Sequence, residues 1–150
     1  MTSQLDSKDK KILNMLQENS RTSYLHIASK LGVSEATVRY RIKKLLDNRV
    51  ISRFTVLLDP TKIGYPTTGI LMVKIAPDHF EEASKQISAL DETRHVLQST
   101  GDYNLVAVVR SHDLEHLSDV RKKVELISGV REVTLFAATK LIKIDPSFML

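Results

Sequence analysis

The sequence predicts an α+β protein, with an N-terminal three-helix helix-turn-helix of the winged type and a C-terminal ferredoxin-like βαββαβ domain. Three observations support this prediction. Apolar residues recur with helical spacing near the N-terminus, a helix and strand pattern repeats at an offset of 37 residues in the second part, and Pro and Gly residues separate the two parts. We place the helical domain at residues 1–52, a β-strand linker at 53–66 and the second domain at 67–150.

Positive charge is concentrated in the first part of the chain. Residues 1–60 carry 11 Lys and Arg against 6 Asp and Glu, a net charge of +5, whereas residues 61–150 carry 11 against 12, a net charge of −1. This asymmetry indicates a polyanionic partner, such as nucleic acid, for the first part only. A basic surface that faces only solvent is the alternative.

The composition excludes several classes of protein. The chain contains no Cys, which rules out disulfide frameworks and thiolate metal sites. The N-terminal residues lack the basic and then apolar run of a signal peptide, and the longest apolar runs, such as Ile70–Val73, are too short to span a bilayer. We therefore expect a cytoplasmic protein that does not associate with membranes.

Two helices are predicted before residue 32. Asp6 is a suitable N-cap for a helix that ends near Asn19, and Asp9 lies in its first turn, where the helix dipole favours a carboxylate. Ser23 is a suitable N-cap for a second helix over residues 24–31.

A tight turn leads into a third predicted helix. Gly32 provides the permissive backbone of the turn, and Ser34 is the N-cap of a helix that continues to about Asn48. Three residues at helical spacing should face the core of this domain, namely Val38, Ile42 and Leu45. Two helices joined by a short Gly-containing turn, with another helix packed on them, are typical of a helix-turn-helix.

The third helix carries the residues expected to contact double-stranded DNA, because the second helix of such a unit enters the major groove. The candidates for base contacts are the residues at the start of the helix, namely Ser34, Glu35, Ala36 and Thr37. The candidates for phosphate contacts are the cationic and aromatic residues that follow, namely Arg39, Tyr40, Arg41, Lys43 and Lys44. A three-helix core with a solvated basic face is the alternative.

The segment after the third helix predicts one strand and then the repeat. Residues 53–58 are rich in β-forming side chains, and Asp59-Pro60 ends this strand. The apolar residues at helical spacing in the first repeat are Phe80, Ala83, Ile87 and Leu90, and those in the second are Leu117, Val120, Val124 and Ile127. Strands over residues 68–75 and 104–110 precede these helices, and strands near Val96 and Val133 follow them. The resulting order is βαββαβ.

The strands of this second domain are apolar on both faces. Ile70 and Met72 point away from Leu71, Val73 and Ile75 in an alternating strand. Two helices cover only one face of such a sheet, so the other face needs a cover. We expect a homodimer formed through the sheets, because helix-turn-helix proteins usually read two half-sites. The N-terminal domain folding back onto the sheet is the alternative.

Several short motifs occur in order along nearly the whole chain. They are Leu5-Asp6 with Asp9 and Ile12-Leu13, Ala28 with Leu31-Gly32-Val33-Ser34, Val38 with Arg41-Ile42 and Leu45, Ile51, Leu58-Asp59-Pro60 with Gly64, and Gly101-Asp102-Tyr103 before Leu105–Val109. With these motifs the sequence resembles the Lrp/AsnC (feast/famine) transcription regulators. Two positions depart from the family pattern, since Arg49 stands where glycine is usual and His26 where an acidic residue is common.

The resemblance implies a transcription regulator rather than an enzyme, with dimers that often associate into an octamer and an amino acid as effector between dimers. The implied effector loop is Thr100-Gly101-Asp102-Tyr103-Asn104, with Thr134 and Phe136 as weaker candidates for the wall of the cleft. An amino acid needs a carboxylate for its ammonium group and free N–H groups for its carboxylate, which Asp102 and the Gly101 backbone can supply.

No catalytic or metal site is expected. His112 and His116 have the spacing of a zinc pair, but no third ligand follows at a suitable distance, so we interpret them as solvated residues at a helix start. No nucleophile motif or phosphate-binding loop is present, and no cofactor is predicted. Two other functions remain open: a ferredoxin-like enzyme subunit and an architectural protein that coats DNA without sequence choice.

Overall fold

The computed structural model describes residues 5–150 and consists of two compact units. One unit comprises the residues up to Leu57 together with Lys143–Leu150, and the other comprises Leu58–Ile142. Residues 1–4, which the sequence prediction included in the helical domain, lie outside the described residues. Each unit has its own apolar core.

The N-terminal unit contains three helices, α1 (Ser7–Glu18), α2 (Tyr24–Leu31) and α3 (Glu35–Asp47). Each begins after the predicted N-cap. The Asp6 side chain accepts hydrogen bonds from the N–H groups of Lys8 and Asp9, and the Asp9 side chain accepts one from the Asp6 N–H, which completes a capping box. Ser23 and Ser34 cap α2 and α3 in the same way, with N···O distances of 3.2 and 3.1 Å.

The core of this unit lies between the three helices. Its buried residues are Ile12, Leu13, Leu16, Ile27, Ala28, Val38, Ile42 and Leu45. The prediction that one stripe of α3 faces the core is therefore confirmed. Burying an Ile or Leu side chain stabilises a fold by about 1.5–3 kcal/mol, so this stripe fixes which face of α3 remains outside.

Helix α3 ends in a Schellman motif. The Val50 N–H donates to the carbonyl of Leu45 at 2.9 Å, and the Arg49 N–H donates to the carbonyl of Leu46 at 2.9 Å. Arg49 itself adopts the left-handed conformation with φ 56°. The departure from the usual glycine at this position would be expected to remove the left-handed residue from the helix end. That expectation is wrong, because the motif forms with Arg49 in the position that favours glycine.

The strain at this position predicts a stabilising substitution. We expect Arg49→Gly to raise the free energy of unfolding by up to about 1 kcal/mol, because Gly adopts positive φ without a Cβ clash. Gly32, with φ 62° at the end of α2, provides the reverse control, and Gly32→Ala should lower the free energy by about 1 kcal/mol. Urea titrations measure both values, and a loss of stability in Arg49→Gly would contradict the interpretation.

The segment after α3 differs from the prediction. Residues 53–58 belong to no strand, and Val56 and Leu57 are 75% and 67% exposed. A strand needs a neighbour for its backbone hydrogen bonds, and this segment pairs with no strand within residues 5–150. The predicted strand over Arg53–Leu58 is therefore wrong for the single chain. A single turn of 3₁₀ helix follows at Pro60–Ile63, capped by Asp59.

The C-terminal end also differs from the predicted boundary. Lys143–Leu150 packs with the helical unit, although the prediction assigned it to the domain at 67–150. The physical reason is a pair of hydrogen bonds between the backbone of Phe148 and the side chain of Gln17 in α1. The pattern of apolar residues cannot reveal such a contact, because it joins residues 131 positions apart.

The second unit has the predicted βαββαβ order. Its elements are β1 (Thr67–Ile75), α4 (Phe80–Ser88), β2 (Thr93–Gln98), β3 (Leu105–Ser111), α5 (Leu114–Glu125) and β4 (Val130–Ala137). The four strands form an antiparallel sheet in the order β2-β3-β1-β4. The predicted fold class is confirmed.

The two faces of this sheet are both apolar, but only one is buried. On the covered face Leu71 lies between Ala107 and Leu135, beneath the buried residues of α4 and α5. On the open face Ile70 lies between Val108 of β3 and Phe136 of β4. Both of these neighbours are apolar, like the residues of the core. Phe136 is 52% exposed there and Ile70 is 38% exposed, so the predicted two-faced pattern is confirmed.

His116 and Lys123 of α5 hold a buried carboxylate. Glu92 accepts hydrogen bonds from Lys123 Nζ at 2.8 Å and from His116 Nε2 at 3.1 Å. The His112 ring stacks between those of Tyr65 and His116, with centroid distances of 4.6 and 5.4 Å. The interpretation of both histidines as solvated residues is therefore wrong for His116, which is half-buried and bonded to Glu92, whereas His112 is exposed. Within residues 5–150 no three acidic or imidazole side chains are grouped to hold a metal ion.

The Glu92 cluster makes stability depend on pH. Burial raises the pKa of Glu92, but the hydrogen bond and charge of Lys123, with the bond from His116, outweigh this effect, so the pKa lies below its usual 4.5. A carboxylate with a lowered folded-state pKa adds stability that is present above its unfolded-state value and is lost as the pH falls through the folded-state value.

We expect Glu92→Gln to lower the free energy of unfolding by about 1 kcal/mol at pH 7, because two charge-assisted hydrogen bonds are weakened. The difference between the variant and the unsubstituted protein should shrink as the pH falls below about 4. Urea titrations across this range measure it, with Glu115→Gln on the exposed face of α5 as the matched control. A difference that is the same at every pH would contradict the assignment.

Candidate DNA-binding surface and effector loop

The outward face of α3 is opposite its buried stripe. Ala36, Tyr40 and Lys43 follow one another at helical spacing along the centre of this face, and all three are exposed. Arg39 and Lys44 lie on its two flanks and are also exposed. Tyr40 is 67% exposed, so its ring is accessible at the centre of this face.

The first residues of α3 make local interactions that order this face. Ser34 Oγ accepts a bond from the Thr37 N–H and lies 2.8 Å from the Thr37 hydroxyl. Glu35 pairs with Arg39 at 2.8 Å, and the guanidinium carbon of Arg39 lies 5.3 Å from the centre of the Tyr24 ring. Thr37 is half-buried, whereas Ser34 and Glu35 are exposed. The base contacts expected at the start of the helix, from Ser34 to Thr37, stay a prediction.

Arg41 differs from the other predicted contacts. Its Nη1 donates to Asp6 at 2.7 Å and to Asp9 at 2.8 Å, and only 25% of its side chain is exposed. Arg41 therefore joins α3 to the capping box of α1. The prediction that Arg41 contacts phosphates is revised, because two carboxylates already neutralise its charge and direct it away from the outward face.

This assignment predicts that two cations of α3 respond differently to removal. We expect Arg41→Ala to lower the free energy of unfolding by about 2 kcal/mol, because it leaves Asp6 and Asp9 without their partner. Lys44→Ala should leave stability within about 0.5 kcal/mol, because Lys44 is an exposed surface residue. Urea titration measures both.

DNA binding provides the second readout for the same pair. Lys44→Ala should reduce the slope of log affinity against log salt concentration by about 1, as expected for one lost phosphate contact. Arg41→Ala, measured where it is folded, should keep the slope of the unsubstituted protein. A reduced slope in Arg41→Ala together with unchanged stability would restore the phosphate role.

The predicted effector loop connects β2 to β3. Gly101 has φ 100°, a conformation that side chains disfavour, so the turn depends on glycine here. The Ser99 N–H donates to the Asn104 carbonyl at 3.0 Å and closes the hairpin. Thr100, Gly101 and Asp102 are exposed at its tip, which leaves the Asp102 carboxylate accessible to solvent.

The remaining loop residues have structural partners. The side-chain amide of Asn104 donates to the Ile75 carbonyl at 2.8 Å and accepts from the Ile75 N–H at 2.9 Å. Asn104 thus extends the sheet by one pairing, and its side chain is not free for a ligand. The Tyr103 hydroxyl lies 2.7 Å from Glu132 Oε1 and 2.9 Å from Thr134 Oγ1.

The structure brings Tyr103 and Thr134 into hydrogen-bond contact, whereas among the described residues no such bond joins Phe136, which follows Thr134 on the same face of β4. Phe136 lies two residues further along β4, beside Ile70 on the open apolar face. Glu132 was missed by the sequence interpretation. The available signal was strand alternation, since Glu132 and Thr134 are two positions apart and share one face of β4.

Comparison with known proteins matches both units. The AsnC-type helix-turn-helix domain matches residues 5–46, and the Lrp/AsnC ligand binding domain matches residues 68–148. The chain belongs to the Lrp/AsnC family. The HTH-type transcriptional regulator LrpA of Pyrococcus horikoshii is 35% identical over 130 residues, covering 86% of this chain and 92% of the relative. Ptr1 of Methanocaldococcus jannaschii, another HTH-type transcriptional regulator, is 37% identical over 113 residues, covering 75% and 76%.

Solved structures show the same fold. E. coli AsnC superposes with a TM-score of 0.89 at 22% identity, covering 95% of this chain and 97% of its own. A transcriptional regulator from Neisseria meningitidis, determined as an L-Met complex, has a TM-score of 0.88 at 24% identity and covers 97% of both chains. The two family matches, together with the curated relatives, show that this Lrp/AsnC chain is a transcription regulator with a helix-turn-helix domain and a ligand-binding domain.

Every helix in the described part of the chain is too short or too polar to cross a bilayer.

Proposed function

We propose that this regulator binds double-stranded DNA with sequence preference through α3, and that an amino acid modulates this binding. The outward face of α3 carries the first half of the proposal. It presents Ala36, Tyr40 and Lys43 along its centre, with Arg39 and Lys44 on its flanks. The sequence places Tyr40 among the phosphate contacts, and we assign it here to base edges because it lies at the centre of this face. Small and aromatic groups suit base edges, and the surrounding cations suit phosphates.

The way in which α3 is held supports the same role. Its N-terminus is capped by Ser34, its C-terminus closes in a Schellman motif, and Arg41 fixes it to α1. A recognition helix must present its side chains in a constant orientation, because each base contact depends on distances of about 3 Å. None of these fixing interactions uses the central residues of the outward face.

A homodimer is proposed from the open face of the sheet. Large apolar residues are exposed there, with Leu97 57% and Phe136 52% exposed. An uncovered apolar face of this kind is costly in water, and a second copy of the same face is a self-complementary cover. Two copies would present two α3 helices, as half-sites about 34 Å apart require. Association of dimers into an octamer is the further assembly that we propose.

The effector site is proposed at the loop between β2 and β3. The exposed carboxylate of Asp102 can bind an ammonium group, and the backbone N–H groups near Gly101 can bind a carboxylate. Glu132 and Thr134, joined through the Tyr103 hydroxyl, provide a polar wall next to the loop. An α-amino acid has both charges at one carbon, and the Neisseria meningitidis relative was determined as an L-Met complex.

Sequence preference is tested by selecting a preferred site from a random DNA pool and then titrating that labelled site in the presence of competing unrelated duplex. We expect the protein to bind the selected site at least about 10³ times more tightly than unrelated DNA. Ala36→Ser and Tyr40→Ala should change the sequence recovered from a random pool, whereas Lys44→Ala should weaken all sequences alike. Equal affinity for all duplexes would identify an architectural protein that coats DNA, and no complex at all would leave the DNA-binding proposal wrong.

Effector binding is tested by thermal melting against the twenty amino acids, starting with L-Met. A ligand present at about 100 times its dissociation constant adds about 2.7 kcal/mol of stability. We expect a shift with one or a few amino acids that Asp102→Ala abolishes and Asp91→Ala, an exposed control in the same unit, retains. A shift that both variants retain would place the site away from this loop.

A further inference from the structure

The C-terminal tail, Lys143–Leu150, packs with the N-terminal helical unit, which is called the DNA-binding unit from here on. Asp145 Oδ1 accepts a hydrogen bond from the Ser147 N–H at 3.0 Å, which forms a local turn around Pro146. The turn directs the backbone of Phe148 toward α1. The hydrogen bond of this turn joins two residues of the tail itself.

Gln17 of α1 binds both backbone groups of one tail residue. Its Nε2 donates to the Phe148 carbonyl at 3.0 Å, and its Oε1 accepts from the Phe148 N–H at 2.7 Å. The two bonds imitate the pairing of a β-strand with its neighbour. They bind the backbone and do not depend on the Phe148 ring, which is 75% exposed.

The tail also closes one side of an apolar groove. A cavity of about 430 Å³ lies between α1 and residues 50–55, with Leu13, Leu16 and Phe54 on the unit side and Pro146, Phe148 and Leu150 on the tail side. Without the tail the wall formed by α1 and residues 50–55 would face water. Apolar surface removed from water contributes about 25 cal/mol per Å², so the groove favours an apolar cover.

Chain connectivity gives this contact a consequence. The chain passes between the two units twice, once at Leu57–Leu58 and again at Ile142–Lys143. The second passage follows β4, the strand on which Thr134 meets the Tyr103 hydroxyl of the proposed effector loop. While the tail is bound, the DNA-binding unit is held by two segments rather than one.

We propose that α1 and residues 50–55 form a docking surface for the chain's own C-terminal tail. The docked tail is a second tether that limits the orientations of the DNA-binding unit. A unit with fewer orientations loses less entropy when it binds DNA, so the tether raises affinity. This consequence rests on the proposed function, whereas the docking itself does not.

Hydrogen exchange followed by mass spectrometry tests the docking on the full chain. The variants are a chain that ends at Ile142, Gln17→Ala, and Gln86→Ala as a matched glutamine on α4 of the other unit. We expect exchange in residues 14–18 and 50–55 to quicken roughly fivefold in the first two variants, as for the loss of one or two hydrogen bonds. Exchange in α3 and in the Gln86→Ala variant should stay unchanged.

Two results would overturn the docking. In one, exchange in residues 14–18 and 50–55 is the same with and without the tail. In the other, exchange rises equally in all three helices, which would make the tail a part of the core rather than a tether. DNA titration then tests the consequence, and we expect the chain that ends at Ile142 to bind its site roughly fivefold more weakly. Unchanged affinity would contradict the tether, while no DNA complex with the full chain would contradict the proposed function and leave the exchange result valid.

Discussion

The DNA-binding unit depends on one guanidinium group. Arg41 extends from α3 to two carboxylates of α1, and one of these, Asp6, also caps that helix. The hydrogen bond from the Asp9 backbone, followed by that from Arg41, lowers the pKa of Asp6, and the two carboxylates raise the pKa of Arg41. Both shifts favour the charged forms of Asp6 and Arg41, and the ion pairs of Arg41 with Asp6 and Asp9 hold α1 and α3 together.

The contact between α1 and α3 separates the two faces of α3. Val38, Ile42 and Leu45 are buried against the other helices, so the residues half a turn away must face outward. On the outward face Arg39 and Lys43 pair with the exposed Glu35 and Asp47 of α3 itself, whereas Arg41 is held by two carboxylates of α1. The position of a basic residue around the helix axis thus decides whether it joins α3 to α1 or lies on the face that we propose for DNA.

The second unit is governed by a different constraint. Two helices cover one face of its four-stranded sheet, and the strands are apolar on both faces. An apolar open face in a chain that carries a single recognition helix gives one physical reason for pairing two chains. The proposed effector loop connects β2 to β3 of the same sheet, and its Tyr103 contacts Thr134 of β4. Strands β3 and β4 therefore contribute both to the open face and to the proposed effector site.

Much of the fold could be predicted because its signals are local. Asp6, Ser23 and Ser34 mark helix starts through their own side chains, and the 37-residue repeat reports two similar helix and strand pairs. The errors share a cause, which is a partner far away in sequence. Arg41 pairs with carboxylates 32 and 35 residues away, Phe148 bonds to Gln17, and the strand expected at residues 53–58 has no partner strand in the described part of the chain.

The site was predicted unevenly for the same reason. The outward residues of α3 follow from helical spacing alone, and Gly101 follows from the need for a turn. The side chain of Asn104 looked available for a ligand but pairs with the backbone of Ile75, across 29 positions of sequence. The sequence shows which residues lie at a turn, but it does not show which of their polar atoms are already bonded.

Photocrosslinking of single cysteine variants to DNA tests the central claim, that α3 is the DNA-binding surface, most directly. The chain contains no Cys, so a single crosslinker can be attached to each of two variants, Tyr40→Cys and Leu126→Cys. Both positions are exposed, and the first lies on α3 and the second just after α5. The account predicts a protein–DNA adduct from position 40 and none from position 126. An adduct from position 126 alone, or equal adducts from both positions, would contradict it.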